Sequence, residues 1–410
     1  MFQFILGNCP TYHCTILKYQ FRSASLMTSE DNEEHGRTAN GANSLSSTFI
    51  GSNQQDKFDK TRAEAFTGKM LEILNGGNLS LMISIGHQTR LFDVMSKLPP
   101  STSEELAQHA SLNERYVREW LGAMVTANIV EYDPDKQKYY LPAEHAAFLT
   151  RDAGLDNIAV FTQYIALMGE VEQKIIECFH KGGGVPYSAY PRFQELQAEE
   201  TARIFDARLL DNIIPLVEGL ADRLKSGIDV LDVGCGRGRA VNILARTYPN
   251  SRFVGYDISK EGIESARHEA KKWSLTNAKF EVQDARTISE QEKYDLITAF
   301  DTIHDQAQPT KVLKEIYNAL RKGGGVFLMQ DIAASSHVQE NMNNPLAPTL
   351  YTFSTMHCMT VSLAYNGEGL GAVWGKQKAE QKLKEAGFSY PIEVKHIEGD
   401  ILNYYYIARN

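Results

Sequence analysis

The chain has 410 residues, enough for two or three domains, and its 43% hydrophobic and 23% charged residues are typical of a globular protein with a sizeable core. Its formal net charge of -9 disfavours a dedicated nucleic-acid-binding protein, which needs an excess of Lys and Arg. No apolar run approaches the ~18–20 residues of a membrane span, and the five cysteines form no CxxC pair, which argues against a disulfide framework or a cysteine zinc site.

Residues 1–57 are predicted to be a disordered N-terminal segment, because residues 28–57 are rich in Ser, Asn, Gly and Gln and poor in large apolar side chains. Residues 1–26 contain Lys18 and Arg22 and no acid, which loosely resembles a transit peptide but lacks the repeated arginines and the amphipathic face. We therefore expect a cytoplasmic protein, with a mitochondrial location as the alternative.

Residues 58–150 have the pattern of a winged-helix domain. Apolar residues at helical spacing over 65–74, 79–85 and 90–95 predict helices, Ser101 or Ser103 is expected to cap the next helix, and Asn113 the one after it. Residues 129–132 and 138–141 then predict a strand, a turn and a second strand.

The candidate recognition helix of this domain has a mixed rather than a basic face, with Glu114, Arg115, Arg118 and Glu119. Phosphate contacts supply most of the affinity for DNA and require Lys and Arg. We therefore expect this domain to cover a substrate or to form a dimer contact, with DNA binding as the less favoured alternative.

Residues 151–226 are predicted to be a helical linker or cover region, with helices over 158–178 and 196–224. Between them, three glycines at 182–184 are followed by Tyr187 and Tyr190. This aromatic loop is either a plain turn or a pocket wall.

From residue 227 onward, short apolar strands alternate with helices, which predicts a buried parallel sheet with right-handed crossovers. The last two strands, 392–397 and 402–408, are joined by so few residues that they must pair antiparallel. The predicted fold class is α/β, a Rossmann-like seven-stranded sheet over 227–410 with its last strand antiparallel, preceded by the helical winged-helix domain.

Three glycines, Gly234, Gly236 and Gly238, lie where the first strand of this sheet gives way to a helix. Glycine lets a ligand approach the backbone closely, and the free amides of a helix start face that ligand. The third glycine comes one residue too early for the dinucleotide-binding fingerprint, and no Gly-Lys-Ser/Thr follows, which excludes a Walker-type phosphate loop.

Acidic residues follow the first three strands of the sheet, at Asp232, Asp257 and Asp284. Asp232 suits the ammonium group of a methionine moiety, Asp257 suits two ribose hydroxyls, and Asp284 suits an adenine amino group. Each acid alone could be an ordinary strand-end turn residue, but three in register at one sheet edge indicate a ligand site.

The segments Leu231-Asp-Val-Gly-Cys-Gly-Arg-Gly, Gly255-Tyr-Asp-Ile-Ser and Gln283-Asp-Ala resemble the first three cofactor motifs of class I S-adenosylmethionine-dependent methyltransferases. The preceding winged helix and the run Phe300-Asp-Thr-Ile-His-Asp-Gln are similar to a two-domain subgroup of that family. The resemblance implies S-adenosyl-L-methionine as the cofactor and adds residues to the predicted cofactor site. Those added residues are Cys235, Ile258, Ala285, Phe300 and Asp301.

His304 and Asp305 directly follow the fourth strand, at the switch point of the sheet where ligands bind, and they are the candidate catalytic residues. Histidine titrates near neutrality and suits a proton acceptor, but His304 could also simply cap or pack its loop. No metal is predicted, although Asp301, Asp305 and Asp331 could alternatively hold magnesium.

The Asn/Asp-Pro-Pro-Tyr signature of amino-group methylation on nucleic acids and proteins is missing after the fourth strand, which disfavours a nucleobase or glutamine as the methyl acceptor.

The glycine-rich stretch 365–375 is either a mobile lid, with Trp374 closing on the substrate, or a loose connecting loop that contacts nothing. His357 and Cys358 are expected to pack on a helix face. The sequence predicts an enzyme that transfers a methyl group to an oxygen or nitrogen of a small molecule. No nucleic-acid or membrane partner is expected, and the enzyme could form a homodimer. A winged-helix DNA-binding regulator that senses a nucleoside cofactor and a nicotinamide oxidoreductase remain as alternatives.

Overall fold

The computed structural model describes residues 58–410, and residues 69–410 form one unit. The predicted disordered segment 1–57 and the targeting question for residues 1–26 lie outside the described residues. Within the described part, no helix combines the length and the apolar character that crossing a membrane requires.

The N-terminal elements are helices followed by a two-stranded antiparallel hairpin, as predicted for a winged helix. They are α1 Lys60–Gln88, α2 Leu91–Met95, α3 Ser103–Ala110, α4 Glu114–Thr126, β1 Glu131–Asp133, β2 Lys138–Tyr140 and α5 Ala143–Leu149. The cap predicted at Ser101 or Ser103 is wrong, because Thr102 caps α3: its hydroxyl accepts from Glu105 N, and the Glu105 carboxylate accepts from Thr102 N. The cap at Asn113 is confirmed.

The middle region is helical, but it does not form the two long helices that the sequence predicted. Its α-helices are α6 Gln163–Gly169, α7 Glu172–Lys181, α8 Phe193–Arg208 and α9 Leu220–Ser226. After α8 the chain forms a π-turn over Leu209–Ile213 and a 3₁₀ turn containing Pro215, whose missing N–H interrupts α-helical hydrogen bonding.

The C-terminal region forms the predicted seven-stranded sheet. Its elements are β3 Asp229–Val233, α10 Arg239–Thr247, β4 Arg252–Asp257, α11 Lys260–Lys272, β5 Ala278–Val282, β6 Leu296–Phe300, α12 Pro309–Ala319, β7 Val326–Ile332, α13 Val338–Asn341, α14 Ala347–Phe353, α15 Met359–Ala364, α16 Gly375–Ala386, β8 Glu393–Lys395 and β9 Asn403–Arg409. The strand order is β5-β4-β3-β6-β7-β9-β8, and β9 runs antiparallel to both of its neighbours, as predicted. The order reverses at β3, so a crevice opens between the carboxyl ends of β3 and β6.

The central strands are buried on both faces, which explains why they are continuous apolar runs in the sequence. Val230 of β3 packs in the core that α10 and α11 cover, whereas its neighbour Leu231 packs in the core that α12 and α16 cover. The domain boundaries at residues 58, 151 and 227 stay predictions.

A polar junction ties the end of α1 to the middle of α8. His87 is 1% exposed, and its Nε2 lies 2.8 Å from Oε1 of Glu199. Arg151 donates to the carbonyl oxygen of His87 (2.8 Å) and to Oδ2 of Asp93 (2.7 Å), while Gln163 donates to Oε2 of Glu199 (2.9 Å). The junction fixes α8 against the N-terminal helices.

This junction predicts an acid-sensitive contribution to stability. The hydrogen bond with His87 and a second one from Gln163 outweigh partial burial and lower the pKa of Glu199 to about 2. Because the folded-state pKa lies below the ordinary value of 4.5, the contribution is present above pH ~4.5 and is lost as the pH falls toward 2. Glu199→Gln should lower the free energy of unfolding at neutral pH by about 1 kcal/mol, a modest figure because the carboxylate keeps contact with solvent.

Chemical denaturation of the wild type and Glu199→Gln at pH 7 and pH 3 measures this effect, with the exposed Glu172→Gln as the control. The stability difference between wild type and Glu199→Gln should shrink at the lower pH. An equal difference at both pH values would contradict the assignment.

Candidate active site

A cavity lies at the carboxyl ends of β3 and β6, under a roof formed by α8 and α14. Its floor is the glycine turn after β3 together with the segment after β6, and its roof includes the aromatic rings of Phe193 and Phe353. Most of the predicted site residues line it: Asp232, Gly234, Cys235, Gly236, Asp257, Phe300, Asp301, His304 and Asp305.

The carboxylate of Asp257 shapes the glycine turn. Its Oδ2 accepts a hydrogen bond from Gly236 N (2.8 Å), and its Oδ1 accepts one from Ser259 N (2.7 Å). Gly236 has a φ of 51°, and a Cβ at this position would meet no protein atom within 4 Å, so it would project into open space at the cavity. The turn therefore offers a ligand a bare stretch of backbone.

Asp232 lies on the cavity floor and is 4% exposed. Burial raises its pKa to about 7, although a hydrogen bond from Thr298 Oγ1 (2.6 Å) opposes that rise. Burial likewise raises the pKa of the Cys235 thiol. A cationic ligand group beside Asp232 would offset the cost of this buried carboxylate.

The remaining predicted cofactor residues, Gly238, Ile258, Asp284 and Ala285, lie outside the lining of this cavity. The carboxylate of Asp284 accepts hydrogen bonds from Arg286 N (2.9 Å) and from its guanidinium, which lower the pKa of Asp284. Gly238 is required for packing, because a Cβ there would come within 2.6 Å of Ala266 and Phe280.

His304 is buried between two carboxylates. Its Nδ1 lies 2.9 Å from Oδ1 of Asp331, and its Nε2 lies 3.3 Å from Oδ1 of Asp305. Burial alone would lower the pKa of His304, but the charges of Asp331 and Asp305 outweigh it and hold the pKa well above its ordinary value. Both carboxylates thus favour the protonated form of the ring.

Trp374 is part of this network, so its predicted role as a lid that closes on the substrate is wrong. The residue is 4% exposed, and its Nε1 donates to Oδ1 of Asp331 (2.9 Å). The glycine-rich stretch 365–375 thus places the buried indole of Trp374 against Asp331, which also contacts His304.

The aromatic loop after α7 donates hydrogen bonds to residues at the site. Tyr187 donates to Oδ2 of Asp305 (3.0 Å), and Tyr190 donates to the carbonyl oxygen of Met356. His357 packs as predicted, with its ring stacked on Phe193 at a centroid distance of 3.9 Å, but it also lines the cavity. Burial lowers the pKa of His357 to about 4, so this imidazole is neutral.

Two overlapping groups have the spacing that a metal ion could bridge: Asp301 with His304 and Asp331, and His304 with Asp305 and Cys358. Both include a ring nitrogen of His304. Magnesium prefers an all-oxygen set, so neither group matches the alternative of Asp301, Asp305 and Asp331 as a magnesium site.

Sequence reasoning missed the roof of the cavity, which includes Phe161, Tyr164, Phe193, Glu200 and Phe353. These residues lie on helices whose apolar positions look like ordinary core residues in the sequence. Only the path of the chain over the sheet brings them to the cavity, so no local signal could have identified them.

Comparisons with known proteins agree with this architecture. Residues 77–151 match the Rv2258c-like winged HTH domain family, and residues 224–401 match a methyltransferase domain family. The mitochondrial ubiquinone biosynthesis O-methyltransferase of Candida albicans is 32% identical over 105 residues, which is 25% of this chain and 32% of that protein. The first curated relatives are thus matched over only 32% to 47% of their own length.

Solved structures share the fold over most of the chain. Human N-acetylserotonin methyltransferase superposes with a TM-score of 0.60 and 17% identity, covering 88% of this chain and 99% of that one. The O-methyltransferase NcsB1 from neocarzinostatin biosynthesis gives a TM-score of 0.56 and 14% identity, covering 81% and 95%. The chain therefore carries an N-terminal segment that matches a winged helix-turn-helix domain family, followed by a segment that matches a methyltransferase domain family.

Proposed function

We propose that the protein transfers a methyl group from S-adenosyl-L-methionine to an oxygen or nitrogen of a small molecule. The observation that carries the proposal is one cavity that joins the glycine turn after β3 to His304, whose ring is held by Asp331. Both a cofactor site and a proton-accepting group therefore face the same enclosed space, as direct methyl transfer requires.

The residues around the turn fit this cofactor. The backbone at Gly236 leaves room for a close approach, whereas Gly234 packs against Thr302, whose side chain a Cβ would meet at 2.4 Å. The buried carboxylate of Asp232 suits an ammonium group. Asp257 keeps the turn open through its two backbone hydrogen bonds. Bound S-adenosylmethionine would supply an electrophilic methyl group.

His304 is the proposed proton acceptor. Asp331 fixes the Nδ1 side of the ring, which leaves Nε2 as the atom that exchanges a proton with the acceptor molecule. Asp305, held by Tyr187, stabilises the imidazolium that forms. The aromatic roof excludes water from the reacting groups.

Relatives support a small, flat acceptor. The solved structure of NcsB1 contains S-adenosylmethionine and 2-hydroxy-5-methyl naphthoic acid, and several similar structures are named as O-methyltransferases. We infer by analogy that an acceptor of this chain binds under the rings of Phe193 and Phe353, with oxygen the favoured atom.

The alternative of a DNA-reading regulator is disfavoured by the surface of α4. Arg115 pairs with Glu119, and Arg118 pairs with Glu114 (3.3 Å), so the arginines of this helix are neutralised by their own neighbours.

Free thiols at Cys178, Cys235 and Cys358 fit the proposed cytoplasmic location.

We also propose a homodimer formed through α1. Leu71, Leu74, Leu81 and Ile85 recur at helical spacing, and all are at least 40% exposed. Such a stripe on a helix is typical of an interface. A second copy is the favoured occupant, because a two-fold axis brings the same apolar stripe from both chains together.

The cofactor assignment predicts the effect of Asp257→Ala. Losing both hydrogen bonds should release the turn and weaken S-adenosylmethionine binding at least about tenfold, as measured by isothermal titration calorimetry. The exposed variant Asp222→Ala is the control. Undiminished binding by Asp257→Ala, or a rise in melting temperature with NADH but not with S-adenosylmethionine, would contradict the assignment. A metabolite screen with labelled S-adenosylmethionine then tests methyl transfer itself.

The role of His304 predicts a pH profile. Because its pKa is raised and only the neutral ring accepts a proton, kcat/KM for S-adenosylmethionine should rise with pH through that raised pKa. His304→Gln should lower kcat about 10²–10⁴-fold without weakening cofactor binding. Asp331→Asn should move the acidic limb of the profile to lower pH, since it removes the strongest charge that raises the pKa.

The surface variant His268→Gln is the control for this series. An unchanged pH profile in Asp331→Asn, or full activity in His304→Gln, would eliminate His304 as the proton acceptor.

The dimer proposal predicts that Leu71→Asp with Leu74→Asp yields a monomer, because four buried carboxylates would face each other across the two-fold axis. Size-exclusion chromatography with light scattering measures the mass, and Asn75→Asp on the same helix is the control for added charge. A monomeric wild type at micromolar concentration would refute the dimer.

A further inference from the structure

Glu200 of α8 brings a carboxylate into the roof of the cavity. Its Oε2 accepts a hydrogen bond from Tyr164 Oη (2.8 Å), and no other hydrogen bond to this carboxylate is found among residues 58–410. Burial raises the pKa of Glu200. The neighbouring Glu199 points away to the junction with His87, so the two consecutive acids of α8 have different surroundings.

The arginines near the cavity are engaged elsewhere. Arg203 donates to the carbonyl oxygens of Gly154 and Leu155, both at 2.9 Å. Arg237 pairs with Glu261, and Arg239 pairs with Asp206 and Glu269. In the part of the chain that the structure describes, the Glu200 carboxylate therefore makes no close ion pair, although the charge of Arg203 on the same helix lowers its pKa against the rise from burial.

A second carboxylate adds to this negative charge. Oδ1 of Asp301 is buried and has no hydrogen-bond partner among the described residues, and its closest cation is the ring of His304, 3.9 Å away. A buried carboxylate oxygen without a hydrogen bond is costly, and a cationic ligand would offset that cost. The cavity is thus electrostatically suited to a positively charged guest.

Aromatic residues line the same roof as this carboxylate. Tyr164, whose hydroxyl contacts Glu200, packs edge-on against Phe353 with a centroid distance of 5.1 Å. Phe161 and Phe193 line the same roof. A cavity that holds both a carboxylate and aromatic rings suits organic cations, through an ion pair and cation–π contacts together.

We propose that Glu200 binds a protonated amine of the methyl acceptor, so that the acceptor class is an aromatic compound carrying a basic side chain. This inference rests on the proposed methyl transfer. The acceptor is favoured over the cofactor as the source of the cation because Glu200 lies on α8 beside Tyr164 and Phe353, in the roof of the cavity. Asp232 and Asp257 lie instead at the glycine turn, on the sheet.

The test compares matched ligands at pH 7 with S-adenosylhomocysteine present, by isothermal titration calorimetry. The probes are tyramine and its neutral isostere 4-propylphenol, extended to a panel of phenolic amines of longer chain, each with its carbon isostere. At least one amine should bind about tenfold or more tightly than its isostere, the size expected of a charged hydrogen bond in a partly buried site.

Glu200→Gln should abolish that preference and leave the affinities for the neutral isosteres and S-adenosylhomocysteine unchanged. Glu195→Gln is the matched control, because Glu195 is exposed on the same helix and pairs with Arg192. The proposal is overturned if no amine outbinds its isostere, or if the amine preference persists in Glu200→Gln. Either result leaves the proposed methyl transfer standing as long as the wild type binds S-adenosylmethionine, whereas a wild type that does not bind the cofactor would remove both proposals.

Discussion

Three segments that are far apart in the sequence meet at one oxygen atom, Oδ1 of Asp331 at the end of β7. It accepts hydrogen bonds from Ile332 N (2.8 Å), from His304 Nδ1 (2.9 Å) and from Trp374 Nε1 (2.9 Å). Asp331 is fully buried, and these donors supply the hydrogen bonds that a buried carboxyl group requires. The same contacts fix the His304 ring beside the switch point of the sheet, and the candidate chemistry depends on that placement.

The winged-helix region contacts the helix that carries part of the cavity roof. His87 at the end of α1 binds Glu199, and the next residue of α8, Glu200, lies in the cavity roof. Since one helix carries both contacts, the position of the roof is set partly by the N-terminal domain. This structural coupling gives the domain a role in forming the acceptor side of the site, which agrees with its internally paired arginines on α4.

The sheet and the glycine turn were predictable from the sequence because their signals are local. A strand buried on both faces is a continuous apolar run, and Asp232 and Asp257 lie at the carboxyl ends of such strands. The breaks after α8, the burial of Trp374 and the pairing of Asp284 with Arg286 were not predictable, because each depends on partners or packing that periodicity does not encode. The roof residues were missed for the same reason: a phenylalanine on a helix looks identical in the sequence whether it faces a core or a cavity.

The charges around His304 also bear on its proposed role as a base. Asp331 and Asp305 raise its pKa in the ligand-free protein, but a cationic cofactor in the same cavity opposes a second positive charge and lowers that pKa. Binding would therefore favour release of the proton, so that Nε2 becomes free to accept one from the acceptor molecule. In the proposed reaction the positive charge that enters with the cofactor then remains in the cavity, on His304 between the same two carboxylates. Asp305 and Asp331 would thus face the same net charge before and after methyl transfer. Because that charge does not change, the reaction would require little reorganisation of the protein.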